Sequence, residues 1–237
     1  GLCPDGQGFH CNYNYVFNNN NRYAVVQTLL NATNRGMFQT ASWGYPQTTV
    51  YTDRAREMDI IIFDLDIPIT QSQSNTGNQT SRPQAWAKNI LSVGGIKHMG
   101  TLSRSDDNWT AGASIGPASD GRIKPDLASF YDQIFTTDQV GTAGYSSTNY
   151  YSSFGGTSGA TPITAGTSGI FFQMWSQGLF GNPTGSTVFA SRPHVATAKA
   201  MLVNTASQWT FSGTTHDLTR THQGWGNPDL RTLYDSR

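Results

Sequence analysis

One serine in this chain is placed to act as a nucleophile. Ser158 lies in Phe154-Gly155-Gly156-Thr157-Ser158-Gly159-Ala160-Thr161-Pro162, where a glycine-rich turn gives way to the apolar run 163–175. That run has the length and composition of a buried helix. A hydroxyl at a helix N-terminus sits in a partly positive field, with unpaired backbone N–H groups nearby. Small neighbours let a substrate carbonyl approach. Amide hydrolysis by such a serine needs a base to take its proton and donors to hold the oxyanion. The Ser158 N–H can be one donor. The structural alternative is a Ser/Thr cap on an ordinary buried helix. A second Gly-Thr-Ser-Gly, at 166–169, falls inside the apolar run, so Ser168 reads as a packing residue.

The elements that must position Ser158 read as alternating strands and helices. Residues 1–21 lack periodicity and read as an N-terminal loop segment, with a polar run at 18–21. Residues 22–35 carry Val25, Val26, Leu29, Leu30 and Ala32 at helical spacing, with Gly36 placed to end the helix. A strand is expected over 37–43, and a short polar helix over 53–58. The Ile-Ile-Ile-Phe block makes 59–69 read as a buried strand of the parallel type. A polar loop at 70–82 and a strand at 90–95 follow. Residues 99–118 read as loop and edge strand, and a further strand is expected near 133–137. Residues 178–187 read as loop. A last helix is expected at 192–206, with Val195, Ala198, Met201 and Leu202 on one side. The alternation predicts a mainly parallel α/β sheet with helices on both faces.

Composition narrows the partners. The 237 residues suffice for one domain with a substantial core. Fifteen basic and fifteen acidic residues cancel, and no basic patch stands out, which argues against nucleic acid. No apolar run reaches the ~18 residues of a membrane span. Charged residues are only 13%, and Gly, Asn, Ser and Thr abound, which suits an extracellular or vacuolar protein. No signal peptide leads the chain, as in a processed product. Cys3 and Cys11 are the two cysteines: a bridge between them fits a secretory route, and two free thiols are the alternative. Asn31, Asn78 and Asn108 head glycosylation sequons.

The motif Gly156-Thr157-Ser158-Gly159-Ala160-Thr161-Pro162 resembles the nucleophile motif of the subtilisin-like serine proteases (subtilases), G-T-S-x-A-x-P. Ser42-Trp43-Gly44, Asn89-Ile90-Leu91-Ser92-Val93-Gly94-Gly95 and Asp120-Gly121-Arg122-Ile123-Lys124-Pro125-Asp126 agree with that family in order and spacing. Gln223-Gly224-Trp225-Gly226 adds to the likeness, which spans roughly residues 22 to 230. The resemblance implies a three-layer subtilase fold, of which 22–237 would be the C-terminal portion of the peptidase domain. It implies Ser158 as nucleophile and Asn75, in Ser74-Asn75-Thr76-Gly77, as a side-chain oxyanion donor. A turn asparagine is the alternative for Asn75. The family's loop is richer in Ala and Gly than Gln71-Ser72-Gln73-Ser74.

The resemblance further implies that Ser42, Trp43 and Gly44 pair with a polypeptide substrate as an added strand. Gly156 belongs to the same substrate-binding set. Segments 42–44 and 70–74 would wall the pocket for the residue whose carbonyl is attacked, the P1 residue. Trp43 as a core aromatic is the alternative. No cofactor is called for, although calcium often stabilises the family; no calcium ligand cluster stands out.

The family's Asp and His motifs are absent. His10 and His98 are the only histidines before Ser158, and neither lies in an H-G-T-H context. Arg22 already corresponds to the helix after the catalytic histidine, so Asp and His would sit on an N-terminal companion segment. A nicked two-chain protease, an incomplete sequence and a non-catalytic extracellular binding or structural relative all fit. A serine followed by Asp217 and His222 has the order of an α/β-hydrolase. Ala160, however, breaks its G-x-S-x-G elbow.

Overall fold

The computed structural model describes residues 2–19, 21–109, 112–209 and 220–237, and for residues 17–19 the backbone alone. Strands β1 (Gln39–Ala41), β2 (Ile69–Ser72), β3 (Leu91–Ile96) and β4 (Leu127–Phe130) form a parallel sheet in the order β1-β2-β3-β4. The register pairs Gln39 with Ile69, Thr70 with Leu91, and Val93 with Leu127. Side chains alternate along a strand, so Leu91 and Leu127 face one way and Ile69 the other. On the first face Leu91 and Leu127 pack against α4 (Thr157–Ser176), α5 (Val195–Asn204) and α6 (Leu230–Asp235), through Phe171, Phe172, Ala198, Leu202 and Leu233. On the second, Ile69 packs against α2 (Arg22–Leu29) and α3 (Asp53–Leu65), through Val26, Met58, Ile61 and Ile62. The expected sheet between two helical layers is therefore observed. A separate antiparallel hairpin, β5 (Ile134–Thr137) and β6 (Tyr150–Phe154), leads into α4.

Four local expectations need correction. Of the expected strand at 59–69, residues 59–65 are the continuation of α3, and only Ile69 is strand, the first residue of β2. Ala55, Met58, Ile61 and Ile62 recur at helical spacing and are all buried, while Phe63 is 78% exposed. Burying each Ile contributes about 1.5–3 kcal/mol, which favours the geometry that puts Met58, Ile61 and Ile62 on one face. Thr52 caps the start by accepting from Arg54 N, and Asp66 closes the end in the left-handed region. The polar residues 70–72, read as loop, are the buried strand β2. The N-terminal segment is not all loop, since Tyr13–Asn19 is helix α1. Finally, α2 stops at Leu29 rather than near Gly36. Asn31 Oδ1 accepts from Thr33 N and Asn34 N (3.0 and 2.9 Å), and Asn34 Nδ2 donates to Thr28 O (2.9 Å). These local bonds compete with helix continuation.

Candidate active site

The carboxyl ends of parallel strands are where α/β sheets gather their chemistry. Ser158 is the second residue of α4, and the N-cap is Gly156, so the capping alternative for Ser158 does not hold. Gly156 takes φ +81°, a conformation that favours glycine, and its N–H donates to Tyr131 O at 2.7 Å. Pro162, four residues after Ser158, has no N–H to give the Ser158 carbonyl. Ser42 Oγ takes that place, donating to Ser158 O at 3.0 Å. The proline thus releases a carbonyl that ties the end of β1 to the nucleophile. Ser158 itself is half-buried; its Oγ and N–H make no hydrogen bond among the described residues.

Asn75 comes off the end of β2 and lies against the same helix start. Its Oδ1 accepts from Thr157 N (2.9 Å) and Thr157 Oγ1 (3.0 Å). Thr157 Oγ1 in turn accepts from Ser74 N at 3.2 Å. With Oδ1 committed to donors, the Asn75 amide nitrogen is fixed in orientation. A Cβ on Gly156 would lie 3.2 Å from it. Two N–H donors, Asn75 Nδ2 and Ser158 N, are thereby unpaired at the start of α4. That is the arrangement an oxyanion requires.

The segment 42–44 sits beside Ser158, but side chains already engage its backbone. Gln71 Nε2 donates to Trp43 O at 2.8 Å. Arg82 Nη1 donates to Gly44 O and Tyr45 O, each at 3.3 Å. Strand-like pairing there requires a substrate to approach past these donors. The Trp43 ring stacks on Tyr13 (5.9 Å) and lies under the Arg22 guanidinium (4.8 Å). Arg22 is itself buried, with no hydrogen-bond partner on any side-chain nitrogen. Burial pulls it down to about 10.

No described histidine bonds Ser158. His98 pairs with Asp132 (3.1 Å), His194 with Asp66 (2.8 Å), and His222 Nδ1 with Thr221 Oγ1 (2.8 Å). His10 is exposed. Asp217, His216 and Thr110 of the third sequon lie outside the described residues. Asn31 and Asn78 are exposed, and Asn108 is half-buried. Cys3 and Cys11 are unbridged. The Cys3 thiol packs toward Gly169 of α4, while that of Cys11 donates to Asn12 O at 3.7 Å. Among the described residues no group of three or more His, Cys, Asp or Glu could hold a metal, and no helix is long and apolar enough to cross a membrane.

Sequence reasoning missed a second polar centre. Asp126, 7% exposed, accepts from Lys124 Nζ (2.6 Å), Ser92 N and Ser92 Oγ (both 2.8 Å), and pairs with Lys199 Nζ of α5 (2.9 Å). Burial alone would raise its carboxyl; the two ammonium groups outweigh burial and hold it down to about 2. Burial pulls Lys124 down to about 8, against the opposing pull of Asp126. Three ionisable side chains meet here, and Asp126 and Lys124 are both charged at neutral pH. The spacing Lys124-Pro125-Asp126 signals only two of the three.

A sequence profile described as Subtilase family matches residues 21–226. The chain is 34% identical over 112 residues to the serine protease/ABC transporter B family protein tagD of Dictyostelium discoideum, and 30% identical over 149 residues to tagB of the same organism. Those stretches are 43% and 59% of this chain but only 6% and 7% of the relatives. Among solved structures, the prenylagaramide maturation protease PagA superposes with a TM-score of 0.63 at 14% identity, over 97% of this chain and 69% of the other. The patellamide maturation protease PatG gives 0.65 at 13%, over 98% and 60%. These two likenesses carry the fold.

Proposed function

The chain belongs to the subtilase family of serine proteases, and we propose that it is the nucleophile-bearing part of a serine endopeptidase. Ser158 Oγ attacks the scissile carbonyl carbon and loses its proton to a base. Asn75 Nδ2 and Ser158 N–H donate to the resulting oxyanion. Collapse breaks the C–N bond, the base returns the proton to the leaving amine, and water then releases the acyl group from Ser158. The base is a histidine oriented by an aspartate, both on a companion segment outside these 237 residues. The observation that carries this reading is the pair of unpaired N–H donors beside a hydroxyl that is itself unbonded. The solved neighbours extend beyond the part this chain covers, which leaves room for the companion. The substrate is a polypeptide, in an extracellular or secretory-pathway setting, and the glycosylation sites are Asn31, Asn78 and Asn108.

Fluorophosphonate labelling of the native assembled protein, with the modified peptide mapped by mass spectrometry, tests the assignment. Such probes need both an activated hydroxyl and oxyanion donors. The expected result is a label on Ser158, and loss of peptidase activity in Ser158→Ala. No label in folded material would favour a non-catalytic scaffold, a role that the occupied carbonyls of 43–45 would also suit.

A further inference from the structure

The two segments that the resemblance gives as walls of the P1 pocket are both tied to the start of α4. Segment 42–45 is tied to the nucleophile through Ser42 Oγ and Ser158 O at 3.0 Å. Segment 71–74 is tied to α4 through Ser74 N and Thr157 Oγ1 at 3.2 Å. Arg82 joins the two. Its backbone N donates to Gln73 O (3.4 Å) on one wall, and its Nη1 to Gly44 O and Tyr45 O on the other. Its Cβ and Cδ lie 3.0 Å from where a side chain on Gly44 would begin. The absent side chain at Gly44 is what lets the arginine in.

Arg82 differs from the arginines that are neutralised by a neighbouring acid. Arg54, Arg122, Arg192 and Arg231 each pair with a carboxylate. Arg82 pairs with none among the described residues, and its Nε and Nη2 make no described hydrogen bond. Two carbonyls hold one edge of the guanidinium and leave the other available. A second observation agrees. Gln84 is 2% exposed and gives its Oε1 to Tyr45 N at 3.3 Å, while its buried Nε2 has no partner. Segment 71–74 adds two unpartnered acceptors, Gln71 Oε1 and Gln73 Oε1, and one donor, Gln73 Nε2, so with Gln84 Nε2 and the open Arg82 edge the unpaired donors outnumber the unpaired acceptors. An apolar side chain entering here would leave these donors unpaired. A carboxylate has two oxygens and about four lone-pair sites, and a guanidinium edge matches it in shape and charge.

We propose that this site cleaves after acidic residues, with the P1 carboxylate of Glu or Asp accepted by the Arg82 guanidinium and the Gln84 amide. This rests on the peptidase reading above. Charge-assisted bonds of this kind set a discrimination on the order of 10–100-fold between Glu and its neutral isostere Gln.

Two measurements keep the pocket separate from the chemistry. In the assembled Ser158→Ala protein, calorimetry would compare peptides that differ only in Glu, Gln, Leu or Lys at P1. Tighter binding of the Glu peptide by on the order of ten-fold or more is expected, whether or not the wild type turns over. Equal affinity, or preference for Leu or Lys, would overturn the pocket even if Ser158 labels. In the wild type the kcat/KM ratio of Glu to Gln peptides should fall toward one in Arg82→Gln. It should partly return in Arg82→Lys, which keeps the charge without the fork. A ratio that survives Arg82→Gln would show that Arg82 only ties the walls together.

Discussion

Two polar constellations hold the layers around α4 and the sheet together, and they are built to opposite rules. Around Asp126 every charge is answered: two ammonium groups, a backbone N–H and a hydroxyl converge on one carboxylate. Around Ser158 the groups are left incomplete. The Ser158 hydroxyl and N–H, Asn75 Nδ2, one edge of Arg82 and Gln84 Nε2 have no described partner. A closed polar network rigidifies, whereas an open one carries a desolvation penalty that something else must relieve. The difference separates residues that serve the fold from residues that serve a ligand, although both sets are polar and each includes a serine.

The comparison breaks most easily at its closed end. Asp126→Asn leaves Lys124, 1% exposed, and Lys199 without a countercharge, and should destabilise the protein by about 3–5 kcal/mol in denaturant titration. The acid limb offers a second readout. The folded carboxyl is held at about 2, below its ordinary 3.8. Its contribution is complete above the unfolded value and is lost as pH falls through about 2. Asp126→Asn should flatten stability across that window. An unchanged acid limb would mean that the cluster does not stabilise the fold.

At the open end the larger effect should appear in turnover. Asn75→Ala should lower kcat about 10²–10³-fold, the range known for removing one such donor in subtilisin, with little change in KM. Thr157 N and Oγ1, on a fully buried residue, lose their shared acceptor, so a stability loss of about 1–2 kcal/mol should accompany the larger fall in turnover. If stability fell and kcat held, Asn75 would be a turn residue.

The open site was easier to read from sequence than the closed one, for a reason of distance along the chain. Ser158, its small neighbours and Pro162 lie within one helical turn and a half, so the local pattern carries their chemistry. Asp126 needs Lys199 from α5, and Arg82 finds its partners 37 and 38 residues away. The parallel sheet between helical layers was legible from alternation, but its parts were less so. In α3 the unbroken Ile60-Ile61-Ile62-Phe63 block hides the period, which only Ala55 and Met58 upstream restore. In β2, Thr70, Gln71 and Ser72 look like a solvent-facing loop, and only long-range pairing with β1 and β3 buries them.

A matched pair of hydroxyls gives the finest test. Ser92 Oγ and Thr157 Oγ1 belong to residues that are both 0% exposed, and each bonds a polar side chain that anchors its constellation. Ser92→Ala removes one of four groups converging on Asp126. A bond to a charged group is worth roughly 1.5–3 kcal/mol, and three partners remain, so a stability loss near the lower figure is expected, with kcat unchanged. Thr157→Val keeps the volume but frees Asn75 Oδ1 from one of its two donors and strands Ser74 N. The amide that should face the oxyanion then swings. A fall in kcat of about ten-fold, with a stability loss of about 1 kcal/mol, follows from losing one positioning bond. Measured side by side, the two variants should move different observables. If both moved only the melting temperature, the openness of the Ser158 end would reflect loose packing rather than readiness for a substrate.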